Sequence, residues 1–401
     1  MKPPNRALMI VSISVFLGSS TWFSGTAATP VLRKLWTLND FQCAWLTVSV
    51  QLGFIVGTIL FALFNLSDLF NTRKVFFFSA LMGAIFNALF AGISQGLGMA
   101  VLFRFLTGLT LAGVYPVGMK IIAQWFHTGL GLRLSVLVGA LTLGTACPYL
   151  IFAFGADFNW RYLMYLASFF SLLGGLIVLL SMSDGPNLKD APRFDIKMVF
   201  KIFTYRKFRL QAFGYFGHMW ELYAFWSLVG LYISASFAGQ VSFPEKNLYL
   251  ISFLAIAIGA FGCILGGWIS RISGEKAAAL ISLLVSGSFC LFSGILYELP
   301  AWALVPLILV WGMFVIADSP QFSALAVNYC PPQYVGTALT IQNGLGFGIT
   351  VVSIQLIAWL AGYVGWNIAF MFLAIGPLAG IISIFRLKPF TSDHCKRTLS
   401  I

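Results

Sequence analysis

Charged residues are scarce in this chain of 401 residues: Lys, Arg, Asp and Glu make up 9% of it, and only 12 residues are acidic. A water-soluble domain carries about 25% charged residues, so the composition excludes a soluble enzyme. Apolar residues take the place of the missing charge, since 59% of the chain is hydrophobic and 40 residues are Phe. The composition therefore predicts an integral membrane protein.

Patterns that bind metals or nucleotides are also missing. The six Cys residues are scattered without metal-ligand spacing, so we expect neither a disulfide framework nor a zinc site. The sequence lacks H-E-x-x-H, the pattern of metalloproteases, and G-x-x-x-x-G-K-[ST], the phosphate-binding loop. We therefore expect no metal and no cofactor, and neither an intramembrane enzyme nor an ATP-driven pump.

Twelve apolar stretches are long enough to cross a bilayer, which takes about 20 residues per helix. A lipid-exposed backbone must satisfy its own hydrogen bonds, so we predict an all-α membrane protein with twelve transmembrane helices. We number them spans 1 to 12, and they cover residues 7–29, 41–65, 75–97, 99–122, 132–154, 161–182, 209–233, 248–269, 277–297, 301–327, 335–362 and 367–385.

The basic residues predict the orientation. With the N-terminus inside the cell, eighteen of the 24 Lys and Arg residues fall on the inner side, and four fall outside: Arg33, Lys34, Arg161 and Lys246. This bias follows the positive-inside rule, so we expect both termini in the cytoplasm and the protein in the inner (cytoplasmic) membrane. Topology then explains the net charge of +12, and no nucleic-acid partner is expected.

A polar segment between spans 6 and 7 divides the chain. We predict an N-terminal six-helix half (1–182), a central cytoplasmic loop (183–208) and a C-terminal six-helix half (209–401). The halves align weakly and in order: Gly57 with Gly259, Gly108 with Gly312, Pro116 with Pro320, and Trp160 with Trp366. Two pseudo-symmetric halves around a central site are typical of secondary transporters.

The central loop carries apolar residues at helical spacing, namely Ile196, Val199, Phe200 and Phe203. Such a pattern suits a short amphipathic helix on the membrane surface. A flexible linker is the alternative, and the sequence does not decide between them.

Two loop segments resemble a motif of the major facilitator superfamily, Gly-x-x-x-Asp-Arg-x-Gly-Arg-Lys/Arg. Between spans 2 and 3, Asp68 and Arg73 match it, and four positions depart from it (Phe64, Leu69, Asn71 and Thr72). At the end of span 8, Gly266 and Arg271 match, but Ser270 stands where the Asp belongs. In span 4, Arg104-x-x-x-Gly108 is similar to a further pattern of that family. The resemblance implies a transporter whose spans 1, 4, 7 and 10 line a cavity, and a gating role for Asp68, Arg73 and Arg271.

Four ionisable residues in the spans are candidates for proton coupling: Glu221 and His218 in span 7, Asp318 in span 10 and Arg104 in span 4. Such groups are costly in hydrocarbon, so each is a functional candidate. His218 lies one turn before Glu221 and could relay its proton. This hypothesis predicts that Glu221→Gln abolishes proton-coupled uphill transport.

Structural roles are the alternatives for these groups. Glu221 and His218 could form a pair that packs span 7 against span 1. Asp318 could cap a helix that restarts at Pro320. Arg104 could extend to the membrane interface.

Six further residues are candidates for substrate binding: Trp22 and Ser24 in span 1, Tyr115 in span 4, Trp220 in span 7, and Gln342 and Asn343 in span 11. Aromatic rings can stack on an organic solute. The same polar groups could instead join helices by hydrogen bonds.

These features predict a secondary active transporter that moves a small organic solute by alternating access and is driven by protons. Its partners would be the solute, protons and the lipid bilayer, and a monomer would suffice. The solute, the direction and the choice between symport and antiport stay open. A facilitative uniporter and a transporter-like membrane sensor without net flux are the alternatives.

Overall fold

The computed structural model describes residues 3–64, 66–126, 130–155, 159–185, 197–238, 244–330 and 335–387. Within these ranges the regular structure is helical, and helices occupy all twelve predicted spans. Six spans are single helices: span 2 (Asp40–Leu63), span 3 (Thr72–Ile93), span 5 (Leu130–Phe154), span 6 (Trp160–Ser181), span 7 (Arg206–Phe237) and span 9 (Glu275–Tyr297).

The other spans are interrupted. Span 1 runs from Pro3–Gly18 through the 3₁₀ turn Ser19–Thr21 and the short helix Ser24–Ala27 to Thr29–Trp36. Spans 4, 8 and 10 each contain two helices, in order Leu97–Leu111 and Tyr115–Trp125, Glu245–Ala257 and Gly259–Ser273, Ala301–Ala317 and Ser319–Tyr329. Spans 11 and 12 follow one another through Val335–Ala369, Phe370–Ala374 and Ile375–Phe385. The chain turns between them at Gly365, whose φ of 80° favours glycine.

In the described part of the chain, nine helices are long and apolar enough to cross a membrane by length and composition. One of them, Ala338–Phe385, covers both span 11 and span 12. The remaining two spans are the atypical ones. Span 1 is divided into short pieces, and the 32 residues of span 7 include buried polar side chains, among them Gln211, His218 and Glu221.

The packing of the helices repeats between the two halves. Span 1 packs on spans 5 and 6, span 2 on span 4, and span 3 on span 6. In the same way, span 7 packs on spans 11 and 12, span 8 on span 10, and span 9 on span 12. Between the halves, span 2 packs on span 11 and span 5 on span 8. Adding six to each span of the first half gives the second set of pairs, so the weak sequence repeat corresponds to a repeated packing.

Glycines set equivalent close contacts in both halves. A Cβ atom at Gly108 of span 4 would lie 2.0 Å from the carbonyl oxygen of Val50 in span 2. At Gly312 of span 10 it would lie 1.9 Å from the carbonyl oxygen of Ala255 in span 8. Because no side chain fits at either distance, glycine is required for these helices to approach each other.

The central segment contains a short helix, Lys197–Thr204. Its Ile202 is buried in a cluster with Phe208 of span 7, Ala326 of span 10 and Ala338 of span 11, whereas Lys201 is exposed. The helix is therefore amphipathic and rests on the C-terminal spans. Residues 186–196 lie outside the described ranges.

Candidate functional site

A cavity of about 560 Å³ lies between the two halves, and we call it the central cavity. Its lining residues come from spans 2, 4, 5, 7, 10 and 11 and from the start of span 9. It extends from Tyr223 and Phe347 to Ser67 and Glu275, at the ends of the spans that the sequence predicts to be cytoplasmic. We call this end the predicted inner side and the opposite end the predicted outer side.

The resemblance placed span 1 at the cavity. No residue of span 1 is among the described residues that line it. The indole of Trp22 is fully buried behind three rings that line the cavity. Its centroid lies 4.8 Å from that of Phe54 and 5.9 Å from those of Tyr223 and Phe347. These rings cover Trp22 and close the central cavity toward the predicted outer side.

A second cavity, of about 510 Å³, lies on the predicted outer side between spans 1, 2, 5, 7 and 8. Two ion pairs lie at this end of the molecule. Arg33 Nη1 is 2.7 Å from Asp40 Oδ1 within the N-terminal half. Lys34 Nζ contacts Glu245 Oε1, and this pair joins span 1 to span 8. The two halves are thus in ionic contact on the side where the central cavity is closed.

His218 and Asp318 form a buried pair between spans 7 and 10. His218 Nδ1 lies 2.8 Å from Asp318 Oδ1, and both side chains are almost fully buried. Asp318 is the residue before the second helix of span 10, but its side chain makes no capping hydrogen bond. Its carboxylate faces the imidazole instead. The neighbours Tyr215, Ser319 and Pro320 line the central cavity, so the pair lies directly behind the cavity wall.

Glu221 has different partners from His218. Its Oε1 accepts hydrogen bonds from Trp311 Nε1 at 2.7 Å and Cys290 Sγ at 3.1 Å. Its Oε2 accepts from Ser286 Oγ at 2.8 Å. These donors belong to spans 9 and 10, so Glu221 lies inside the C-terminal bundle, and it is not among the residues that line the central cavity.

Arg104 is wholly buried, so its side chain does not extend to the membrane interface. Its guanidinium donates to the carbonyl oxygens of Thr21 at 2.8 Å and Leu46 at 3.2 Å, and also to that of Trp22. It further contacts Ser24 Oγ at 3.2 Å and Asn87 Oδ1 at 3.3 Å. A cation is favourable at the C-terminal end of a helix, and Arg104 takes this position at the interruption of span 1.

The substrate candidates separate into two groups. Tyr115 and Asn343 line the central cavity, and Asn343 Oδ1 accepts a hydrogen bond of 3.1 Å from Tyr215.

The other substrate candidates contact neighbouring spans. Trp220 donates to the carbonyl oxygen of Phe372 at 3.2 Å, Gln342 accepts from Gln211 at 2.7 Å, and Ser24 donates to Asn87 at 2.7 Å. Trp22, as above, lies behind the closing rings.

The gating candidates also differ from one another. Arg73 binds the carboxylate of Asp184 through two contacts, at 2.8 and 3.2 Å. This ion pair holds the pKa of Asp184 below its usual value, and it joins span 3 to the end of span 6 within one half. Arg271 is exposed near the end of span 8. The side chain of Asp68 lies outside the described residues.

Sequence reasoning did not single out several of these partners. Tyr215 and Tyr223 line the cavity. The sequence has 13 Tyr and 40 Phe residues, and no pattern distinguished these two from the others. Asn87 forms hydrogen bonds with Ser24 and with the backbone of Met164. The one sequence feature that could have identified it is a side-chain amide within the apolar span 3. In the described part of the chain, no group of three or more His, Cys, Asp or Glu residues could hold a metal ion.

Two similarly packed helical halves around a central cavity are typical of secondary membrane transporters. The sequence profile of the Major Facilitator Superfamily matches residues 8–354. The chain therefore belongs to this superfamily and is a multi-pass membrane protein, not an enzyme.

Individual relatives are distant and diverse. The probable galactarate/D-glucarate transporter GudP of Escherichia coli is 27% identical over 184 residues, which are 41% of this chain and 40% of that protein. The uncharacterised transporter YceJ of Bacillus subtilis is 25% identical over 71% of both chains. Part of this chain thus matches less than half of GudP, and neither relative fixes a substrate.

Solved structures match nearly the whole chain. A bacterial homologue of the human lysosomal transporter Spinster, in an inward-facing and unoccupied conformation, has a TM-score of 0.74 at 14% identity and covers 96% of this chain and 97% of its own. The nucleoside transporter NupG has a TM-score of 0.74 at 13% identity, with 96% and 100% covered. At these identities the likeness shows the fold alone.

Proposed function

We propose that this protein is a secondary active transporter of a small organic solute, working by alternating access and coupled to protons through His218 and Asp318. The observation that supports the proposal is the buried 2.8 Å pair in the interruption of span 10, directly behind the wall of the central cavity. We further propose that the protein lies in the cytoplasmic membrane with both termini in the cytoplasm. The central cavity would then open inward.

The chemistry of the pair suits proton coupling. With one proton shared between imidazole and carboxylate the pair is neutral overall, and a second proton makes it cationic. A net charge on a buried pair costs several kcal/mol. His218 Nε2 has no hydrogen-bond partner among the described residues. Because no partner at this atom compensates a change in charge, protonation of the pair changes the free energy of this conformation.

The position of the pair couples this charge to movement. His218 belongs to span 7 and Asp318 to the junction between the two helices of span 10, and both spans line the central cavity. A change in the attraction between the two side chains alters how these spans pack. Coupling requires that the proton and the solute each bind two conformations with different affinity. In the proposal, the His218–Asp318 pair gives the proton this difference in affinity.

Two experiments test the proposal in order. Metabolites are first compared in cells and medium of a deletion strain and its parent, which identifies the solute and the direction. The purified chain is then reconstituted in liposomes with a pH gradient, and flux of that solute is measured. We expect the wild type to accumulate the solute. Asp318→Asn should accumulate at least about tenfold less, which corresponds to a loss of about 1.4 kcal/mol in coupling free energy.

Glu298→Gln is the matched control, because Glu298 is an exposed carboxylate after span 9 and should leave accumulation unchanged. Each other result contradicts a part of the proposal. Undiminished accumulation by Asp318→Asn removes the pair from coupling. Flux that ignores the pH gradient indicates a uniporter, and absence of flux indicates a sensor.

A further inference from the structure

Aromatic rings dominate the closed end of the central cavity. The lining includes Tyr115, Tyr215, Tyr223, Trp226 and Phe347. The ring of Tyr223 lies 5.0 Å from that of Phe347 and 5.4 Å from that of Trp226, centroid to centroid. The planes of these rings are inclined, at 51° between Tyr223 and Phe347 and at 67° between Tyr223 and Trp226. They form an apolar wall, and a flat ring of a solute can stack on one of its faces.

Positive charge is missing from this surface. Among the described lining residues, Glu275 at the predicted inner end is the one charged side chain. Three basic groups lie nearby and are held by other partners: Arg104 donates to the carbonyl oxygens of spans 1 and 2, His218 faces Asp318, and the half-buried Lys120 donates to the carbonyl oxygen of Ser67 at the predicted inner end. None of the three is among the lining residues.

Apart from Glu275, the polar groups of the wall are neutral. Asn343 accepts a hydrogen bond from Tyr215 at its oxygen, so its amide N–H groups remain as donors. Ser319, Ser323 and Asn328 add hydroxyl and amide groups along span 10. A few such groups in an apolar cavity orient a ligand without requiring it to be charged.

We infer that the central cavity binds a ring-bearing solute that is uncharged or cationic, and that it rejects sugar dicarboxylates. The inference rests on the proposed function, in which this cavity is the substrate site. A carboxylate that enters an apolar cavity without a cation loses its hydration and gains no partner. A cation is tolerated, because the faces of Tyr and Trp rings attract positive charge.

Binding to the full chain in lipid nanodiscs tests the inference with three probes: adenosine, 1-methylnicotinamide and D-glucarate. We expect at least one of the two ring compounds to bind and D-glucarate not to bind at the same concentrations. Tyr223→Leu should weaken the ring compound about tenfold through loss of stacking. Tyr363→Leu is the matched control, because Tyr363 is exposed and is not among the residues that line the cavity, so it should bind as the wild type does. Equal thermal unfolding of Tyr223→Leu and the wild type shows that the fold is intact.

Three results overturn the inference: binding of D-glucarate, binding of neither ring compound, or equal binding by wild type and Tyr223→Leu. None of them decides the proposed function. A proton-driven flux of D-glucarate in the liposome assay, for example, would overturn the substrate class and leave the transporter in place. Absence of any flux, by contrast, would contradict the transporter itself.

Discussion

At the scale of single residues, the buried ionisable groups differ in how fully their neighbours satisfy them. Glu221 accepts three hydrogen bonds from Trp311, Cys290 and Ser286. Asp318 faces a single imidazole. A carboxylate with three donors from spans 9 and 10 is suited to holding helices together. A carboxylate whose one partner is itself titratable is suited to exchanging a proton.

Substitutions of Glu221 separate these roles. We predict that Glu221→Gln keeps proton-coupled accumulation, because the amide oxygen still accepts from Trp311 and Cys290. Glu221→Leu leaves three donors buried without an acceptor, which lowers the free energy of unfolding by about 2–5 kcal/mol. Thermal unfolding in detergent and the liposome assay measure the two effects. If folded Glu221→Gln loses accumulation, Glu221 carries the proton, as the sequence alone suggested.

The sequence identified the buried ionisable residues but not their partners. Glu221, His218, Asp318 and Arg104 were found because an ionisable side chain is rare inside an apolar span. Helical spacing placed His218 and Glu221 on one face, yet the structure gives them different partners: Asp318 of span 10 for His218, and donors of spans 9 and 10 for Glu221. Spacing within a helix identifies a face, but the helix that covers this face is set by tertiary packing.

At the scale of secondary structure, two of the buried ionisable groups lie at interruptions of spans: Arg104 at that of span 1 and Asp318 at that of span 10. The interruption of span 10 was one alternative that the sequence offered, because proline at position 320 favours the first turn of a helix. That of span 1 was not predicted. The carbonyl oxygens of Thr21 and Trp22 are satisfied by Arg104 from span 4, and this long-range contact leaves no trace in the local sequence. The twelve spans themselves were predictable because hydropathy needs only local information.

Arg104 therefore stabilises the interruption of span 1, and Arg104→Lys tests this role. A single ammonium group cannot reach span 1 and Leu46 of span 2 together, whereas a planar guanidinium can. We predict a loss of about 2–3 kcal/mol in the free energy of unfolding and at least about tenfold slower flux. Thermal unfolding and liposome flux measure these quantities.

A glycine next to Arg104 offers an independent test. A Cβ atom at Gly25 would lie 2.6 Å from Arg104 Nε, so Gly25→Ala must displace the guanidinium. We expect the same direction of change as for Arg104→Lys. Gly98→Ala is the matched control, because a Cβ atom there has no neighbour within 4 Å. Normal flux in both Arg104→Lys and Gly25→Ala would show that span 1 holds its shape without Arg104.

At the scale of the whole molecule, two cavities lie on opposite sides of one aromatic layer. The central cavity extends to the predicted inner side, and the second cavity lies on the predicted outer side. The same helix pairs recur in both halves, so in the proposed alternating access each half would move with its own packing intact. The Lys34–Glu245 pair crosses between the halves on the closed side and must separate when that side opens.

Cys43 provides a reporter of this opening, because it is buried and lines the second cavity. We predict that Glu245→Gln raises the rate at which a membrane-impermeant maleimide labels Cys43 from outside intact cells, and that Cys43→Ser abolishes this signal. Both side chains of the pair are more than half exposed, and an exposed pair contributes about 0.2–1 kcal/mol. The expected increase is therefore modest, at most about fivefold.

Restoring the charge pair in reverse separates attraction from mere loss of a side chain. The double variant Lys34→Glu with Glu245→Lys should label at the wild-type rate, whereas Lys34→Glu alone places two carboxylates together and should label fastest. High salt should raise the wild-type rate toward that of Glu245→Gln, because exposed charges are screened. If all variants label at one rate, the aromatic layer around Trp22 and Tyr223 holds the outer side closed without the ion pair. If Cys43 labels only from the cytoplasmic side, the orientation derived from the basic residues is reversed.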